Sequence, residues 1–237
     1  QHLTALLKQS DQALVHDKQE LLNVLEQWGA EASADSVGYR VVRNFRLKTI
    51  EYVMAPFVTA LKHADADFDF KFVKRSSEYP VWSMITEQPQ HLLNPEFDSW
   101  QSLQLAALQD VLETMSEDGV PLQQQTWGRQ NTAQIIHPLV KAVPALDAFL
   151  SMPKDHLSGD SHMPRVQTPN NGASERMVVI PGQEENGIFH MATGQSAHPL
   201  SPWFDAGHSD WVEGKPSGFL PGDTQHRLVL KPVVESR

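Results

Sequence analysis

Apolar residues recur at helical spacing through the first 121 residues of this chain, and beyond that point the period is lost. No other feature constrains the fold as much. Leu3, Leu6, Leu7, Leu14, Leu21, Leu22 and Leu25 predict a helix over Leu3–Trp28, stopped at Gly29, with Trp28 packed under the following turn. Ser36–Leu61 predicts a second helix, its buried face made by Val37, Val41, Val42, Phe45, Ile50, Val53, Met54, Phe57 and Leu61. Asp98–Met115 predicts the clearest one. Asp98 or Ser99 can cap it, and Leu103, Leu105, Ala106, Leu108, Val111, Leu112 and Met115 give it a broad apolar face that ends before Glu117–Pro121. Between these helices, Asp65–Lys74 alternates Phe68, Phe70 and Phe72 with polar residues, as a short strand or an irregular segment pinned by aromatics does. Val81–Ile85 and Gln90–Leu93 are brief apolar pieces broken by Pro89 and Pro95.

From Leu122 onward proline, glycine and histidine become frequent. Within Gly172–Asp205, the apolar runs Arg176–Ile180 and Ile188–Ala192 flank the turn-rich Pro181–Gly187 and predict two antiparallel strands. Thr193–Pro202 is predicted as ordered loop, and Leu228–Leu230 as a last strand. A helical region over 1–121 followed by a strand-and-loop region over 122–237 reads as α+β, not as a parallel α/β sheet.

The formal net charge of −10 argues against a nucleic-acid surface and against an anionic membrane face, both of which need clustered cations. With no cysteine, the chain has no disulfide, thiolate catalyst or Cys-ligated zinc. No apolar run approaches the length of a membrane span. Gln1 opens directly into amphipathic sequence with no visible signal peptide, so if the parent protein is exported its signal is expected upstream.

Histidine, serine and arginine are the candidates for chemistry. Six of the eleven histidines fall late in the chain, at His156, His162, His190, His198, His208 and His226, near Asp160, Asp205 and Asp210. They lack the i, i+4 or His-x-His spacing of a metal site, so the expectation is donation to backbone carbonyls in ordered loops. Ser161, Ser174, Ser196 and Ser201 sit among glycines and prolines. Around Ser196, Thr193-Gly194-Gln195-Ser196-Ala197 approaches a nucleophile elbow but lacks its second glycine, and Pro199 and Pro202 forbid a following helix. Arg165 and Arg176 can bind a carboxylate, or pair with Asp160 or Glu175. Arg40, Arg43, Arg46 and Lys48 are either an anion site or, as expected, a solvated helix face. Asp65, Asp67 and Asp69 lack the glycine and downstream glutamate of a calcium loop.

Several motifs occur in one order: Trp127-Gly128, His137-Pro138-Leu139, Gly159-Asp160-Ser161-His162-Met163-Pro164-Arg165-Val166, Gly172-Ala173-Ser174-Glu175-Arg176-Met177-Val178-Val179, then Gly194-Gln195-Ser196 and His198-Pro199-Leu200-Ser201-Pro202. Together they resemble the C-terminal portion of the large (β) chain of the penicillin acylase family, which includes penicillin amidases and acyl-homoserine-lactone acylases. Leu21–Trp28 and Ser36–Phe57 resemble it more loosely.

The resemblance implies an N-terminal-nucleophile hydrolase with an α-β-β-α sandwich. A serine freed at the start of the β chain attacks an amide carbonyl, its own α-amine serves as base, and backbone and asparagine donors hold the oxyanion. Calcium and a periplasmic location are common in such a family. Gln1 cannot be that nucleophile. The nucleophile, the oxyanion asparagine and the calcium ligands are therefore expected upstream, and this chain is expected to carry no catalytic residue, metal or cofactor of its own. Its expected partners are the remainder of its precursor, namely the α chain and the N-terminal part of the β chain, and a small acyl-amide substrate. Thr193 and Ala197 stand where the family more often has glycine. Two alternatives remain open: a non-catalytic binding or assembly module, and a separate hydrolase using Ser196 or Ser161 with a histidine.

Overall fold

The computed structural model of the chain describes residues 1–172 and 175–232 and is α+β, with helices in the first half and small antiparallel sheets later. Two units are distinguished: Gln1–Ala133 with Lys154–Pro164, and Gln134–Pro153 with the chain from Arg165 onward.

In the first unit, α1 (His2–Gln9) and α2 (Lys18–Glu26) replace the single helix predicted over Leu3–Trp28. Short polar side chains make the break. Ser10 adopts extended backbone and its hydroxyl accepts from the Gln12 N–H, while the Asp17 carboxylate accepts from the Glu20 N–H and starts α2. The leucines keep their register, and Leu3, Leu6, Leu7, Leu21, Leu22 and Leu25 are all buried. Trp28 packs as predicted, its indole N–H donating to the Glu31 carbonyl of the turn at 3.0 Å.

Ser36 caps α3 (Val37–Ala64) by accepting from the Tyr39 N–H. The helix enters against Trp28: a Cβ on Gly38 would lie 2.5 Å from Trp28 Cβ and 2.9 Å from the Val24 carbonyl. Val41, Phe45, Ile50 and Val53 are buried as predicted, whereas Leu61 is exposed. α4 (Glu78–Glu87) runs through the apolar piece around Val81 and Ile85, both buried, and is followed by left-handed Gln88 and by Pro89. Ser99 forms a capping box with Ser102 and starts α5 (Trp100–Ser116), the principal partner of α3. Its face is nearly the predicted one, with Ala107 buried where Ala106 was expected. Of the two readings of 65–74, the irregular segment is the one found: it forms two 3-10 turns, Phe70–Phe72 and Lys74–Ser77, with Phe70 packed against the core. Asp65 and Asp69 accept from the N–H groups of Asp67 and Lys71, curling the backbone that a strand needs extended.

α3 runs through Pro56, which has no N–H to give to the Tyr52 carbonyl four residues back. The side-chain amide of buried Asn94 fills that place at 2.9 Å. Asn94→Ala is expected to cost about 1–3 kcal/mol in urea denaturation, because it removes a buried amide and leaves the Tyr52 carbonyl without its donor. In a Pro56→Ala background, where the helix N–H returns, the loss should shrink. Equal losses in both backgrounds would refute this role.

The second unit is built from short pieces: α7 (Pro138–Ala142), α8 (Asp147–Leu150), the pair β1 (Gln167–Thr168) and β2 (Asn171–Gly172), the pair β3 (Arg176–Val178) and β4 (Ile188–His190), and α9 (His208–Glu213). α6 (Trp127–Gln130) belongs to the first unit. The predicted hairpin forms, antiparallel with Arg176 opposite His190 and Val178 opposite Ile188. Leu228–Leu230 forms no strand: it pairs with none among the described residues, and Leu228 and Leu230 are each 84% exposed.

Candidate functional site

The motif residues gather in three places. In the first unit, Trp127-Gly128 locks α6 onto the loop ahead of α3. The Trp127 N–H donates to the Ser36 carbonyl at 2.9 Å and the Gly128 N–H to the Ala34 carbonyl at 2.6 Å. A Cβ on Gly128 would lie 2.8 Å from the Ala34 carbonyl oxygen and 2.6 Å from His156 Cβ, which is why only glycine fits. The Trp127 indole N–H donates to the Gly159 carbonyl at 2.8 Å, fixing the next residue, Asp160.

Asp160 is 6% exposed and accepts from the Tyr39 hydroxyl at 2.9 Å, the Ser161 N–H at 2.6 Å and the Arg43 guanidinium, whose plane lies over Trp127. Burial pushes the Asp160 carboxyl up, but the Arg43, Ser161 and Tyr39 hydrogen bonds and the Arg43 charge outweigh it and hold it below the ordinary carboxylate range. Burial, then the hydrogen bond and charge of Asp160, drive the Tyr39 phenol upward. Arg43 is thus a partly buried anchor and not part of a solvated face. Arg46 and Lys48 do fit that face, pairing with Glu78 and Glu51, while Arg40 reaches the side-chain carbonyls of Gln125 and Gln130.

In the second unit the motifs converge on Trp211 of α9, which is fully buried. A Cβ on Gly172 would overlap the Trp211 ring at Cζ2. Arg176 lies over the same ring, 5.8 Å from its centroid, and donates to both the Trp211 carbonyl and His190 Nδ1. Gln167 donates to the Trp211 carbonyl at 2.6 Å, and Arg165 to that of Val212. Arg165 and Arg176 therefore do not pair with Asp160 or Glu175. They serve the carbonyls at the C-terminal end of α9, where positive charge is favourable. Burial lowers the pKa of both, and for Arg176 the nearby charge of Arg165 adds to it. Sequence reasoning missed α9 and Trp211. The only local signal was the pair Gly207 and Gly214, both left-handed, at its two ends.

The third place is a cavity of about 360 Å³ within the second unit, where His137-Pro138 meets Thr193–Ala197. Ile135, Ile136, Leu150, Met152 and Phe204 complete its lining. The Gly194 N–H donates to the Phe204 carbonyl and the Ser196 N–H to the Trp203 carbonyl, each at 3.0 Å, so Thr193–Pro202 is the ordered loop that was expected. Thr193 and Ala197, the two departures from glycine, both line this cavity.

The suspected relays do not assemble among the described residues. The Ser196 hydroxyl accepts from the His198 N–H, Ser201 accepts from the Trp203 N–H, and Ser161 donates to Asp160. Ser174 lies outside the described residues. His190 Nε2 and His208 Nδ1 meet the carbonyls of Lys215 and Ala192, the role expected of late histidines. His198 Nδ1 accepts from the Leu200 N–H, and His156, His162 and His226 are exposed. Asp205 and Asp210 take part in α9 through their main-chain carbonyls, which accept from the N–H groups of His208 and of Gly214 and Lys215. Among the described residues no three His, Asp or Glu side chains are placed to hold a metal ion, and no helix is long and apolar enough to cross a membrane.

A family model described as penicillin amidase matches residues 1–221 of the 237-residue chain. No curated protein sequence matches it.

Proposed function

The chain belongs to the penicillin amidase family, a family of amide hydrolases, and from that premise we propose that it is the C-terminal part of an amidohydrolase that cleaves N-acylated small molecules such as penicillins or acyl-homoserine lactones. The observation that carries this reading is the family match over residues 1–221, joined to the use its motifs make of their residues. Gly128, Gly172 and Gly194 each admit a neighbour too close for any side chain, and Arg43, Arg165 and Arg176 anchor carbonyls or a buried carboxylate. These are bracing roles.

In this proposal the nucleophile is an N-terminal serine on the remainder of the precursor, and β3 and β4 complete its α-β-β-α sandwich. Any calcium is held by that remainder, and the whole protein works in the periplasm. The loops around the cavity between His137-Pro138 and Gly194-Gln195-Ser196 brace the active-site scaffold, and Thr193 and Ala197, standing in place of glycine, alter their packing.

A panel of chromogenic acyl amides tests the reading on the purified 237-residue chain beside its full-length precursor. Hydrolysis is expected in the precursor alone. Turnover by the short chain, abolished by Ser196→Ala or Ser161→Ala, would overturn it.

A further inference from the structure

Two cavities in the first unit share a wall. The first, about 550 Å³, is lined by Phe45, Ile50, Val81, Trp82 and Ile85 and lies in the size range of small-molecule sites. Thr49 also lines it. This threonine is 2% exposed, and its hydroxyl has no hydrogen-bond partner among the described residues. A buried hydroxyl left unpaired is costly, so a ligand oxygen placed there is favoured.

The second cavity, about 420 Å³, is lined by five cationic side chains, Arg43, Arg46, Lys71, Lys74 and Arg75, against the carboxylates of Glu78 and Asp160. Such a cluster is notable on a chain of net charge −10. Arg43 is committed to Asp160, and Lys71 to Asp69 at 2.6 Å. Lys74 and Arg75 have no acidic partner among the described residues.

The shared wall contains Arg46 and Glu78, bridged at 3.1 Å. Arg46 and Thr49 are three residues apart on α3 and so face the same side. An apolar body in the first cavity thus ends beside a guanidinium and an unpaired hydroxyl, with two spare cations beyond. A neutral apolar ligand leaves the second cavity unused, and a compact polyanion leaves the first one empty.

We infer that this paired cavity binds an amphipathic carboxylate, its apolar body against Trp82 and its head between Thr49 and Arg46 in the field of Lys74 and Arg75. The site lies apart from the motif cavity of the second unit, although the motif residues Asp160, Ser161, His162 and Met163 line its second half, and ligand binding is read separately from amide hydrolysis.

Titration of the chain with decanoate, followed by tryptophan fluorescence and calorimetry, tests it. One saturable site per chain is expected. Decanol should bind at least about tenfold more weakly and inorganic phosphate not at all, because each offers half of the required chemistry. Thr49→Val and Arg75→Glu, each first required to give the parent's circular dichroism spectrum, should each weaken decanoate by about fivefold or more. Equal affinity for decanol and decanoate would overturn the proposal, as would indifference to both substitutions or no saturable binding. So would a concentration-dependent rise in mass without ligand that Trp82→Ala abolishes, since a second copy would then be the occupant.

Discussion

Trp211→Ala is expected to lower the stability of the second unit by about 3–5 kcal/mol, the range for removing a large buried aromatic. The side chain is fully buried, Gly172 lies flush against its ring and Arg176 covers a face. Neither of these two neighbours can fill the space: Gly172 has no side chain, and the Arg176 guanidinium is held by the Trp211 carbonyl and His190. The effect should be local as well as large. Urea denaturation gives the total, and amide hydrogen exchange should show faster opening at β1, β3 and β4 while α3 and α5 in the first unit keep their protection. Trp211→Phe, which retains much of the volume, should cost about 1–2 kcal/mol. A loss under about 1 kcal/mol for the alanine variant would mean that α9 is not what these motifs are built around.

What the sequence made legible follows from how far each signal reaches. α3 and α5 were readable because several turns repeat one period and a serine stands at each start. The β3–β4 hairpin was readable because a turn-rich break separates two apolar runs. α9 was not, since six residues hold too few turns to establish a period. The break between α1 and α2 was hidden for the opposite reason. Leucines on two helices packed into one core keep a spacing that imitates a single long helix. At Leu228–Leu230 local β-propensity suggested a strand, but a strand needs a partner, which a run of three residues does not specify.

The candidate site divides along the same line. The role of His190 and His208 was inferable, because a histidine without metal spacing has few other uses in an ordered loop. The partners of Arg165 and Arg176 were not inferable. They are main-chain carbonyls, which every residue possesses and no side chain announces. The motif glycines show the limit best. Their identity marks a close approach, yet what approaches is Trp211 at Gly172, His156 at Gly128 and the Trp203 carbonyl at Gly194, each fixed only by the tertiary fold.

Asp160→Asn should have a comparable effect in the first unit, about 2–4 kcal/mol at pH 7, because it strips the counter-charge from Arg43. The pair is well shielded, with side-chain exposures of 20% for Arg43 and 8% for Asp160. Asparagine can keep one acceptor for the Tyr39 hydroxyl or the Ser161 N–H, but not the charge. In a double-mutant cycle with Arg43→Met, the second substitution should cost little once the first is made, since the uncompensated charge has gone. The pH dependence separates this electrostatic role from simple packing. The Asp160 carboxyl titrates below its ordinary value when folded, so its contribution is fully present above the unfolded-state pKa of about 4 and is lost as pH falls through the folded one. The stability gap between the parent chain and Asp160→Asn should therefore hold from pH 7 to about 5 and close progressively below about 4. A gap that stays constant down to pH 3 would show that Asp160 acts through shape and neutral hydrogen bonds, and that Arg43 needs no partner there.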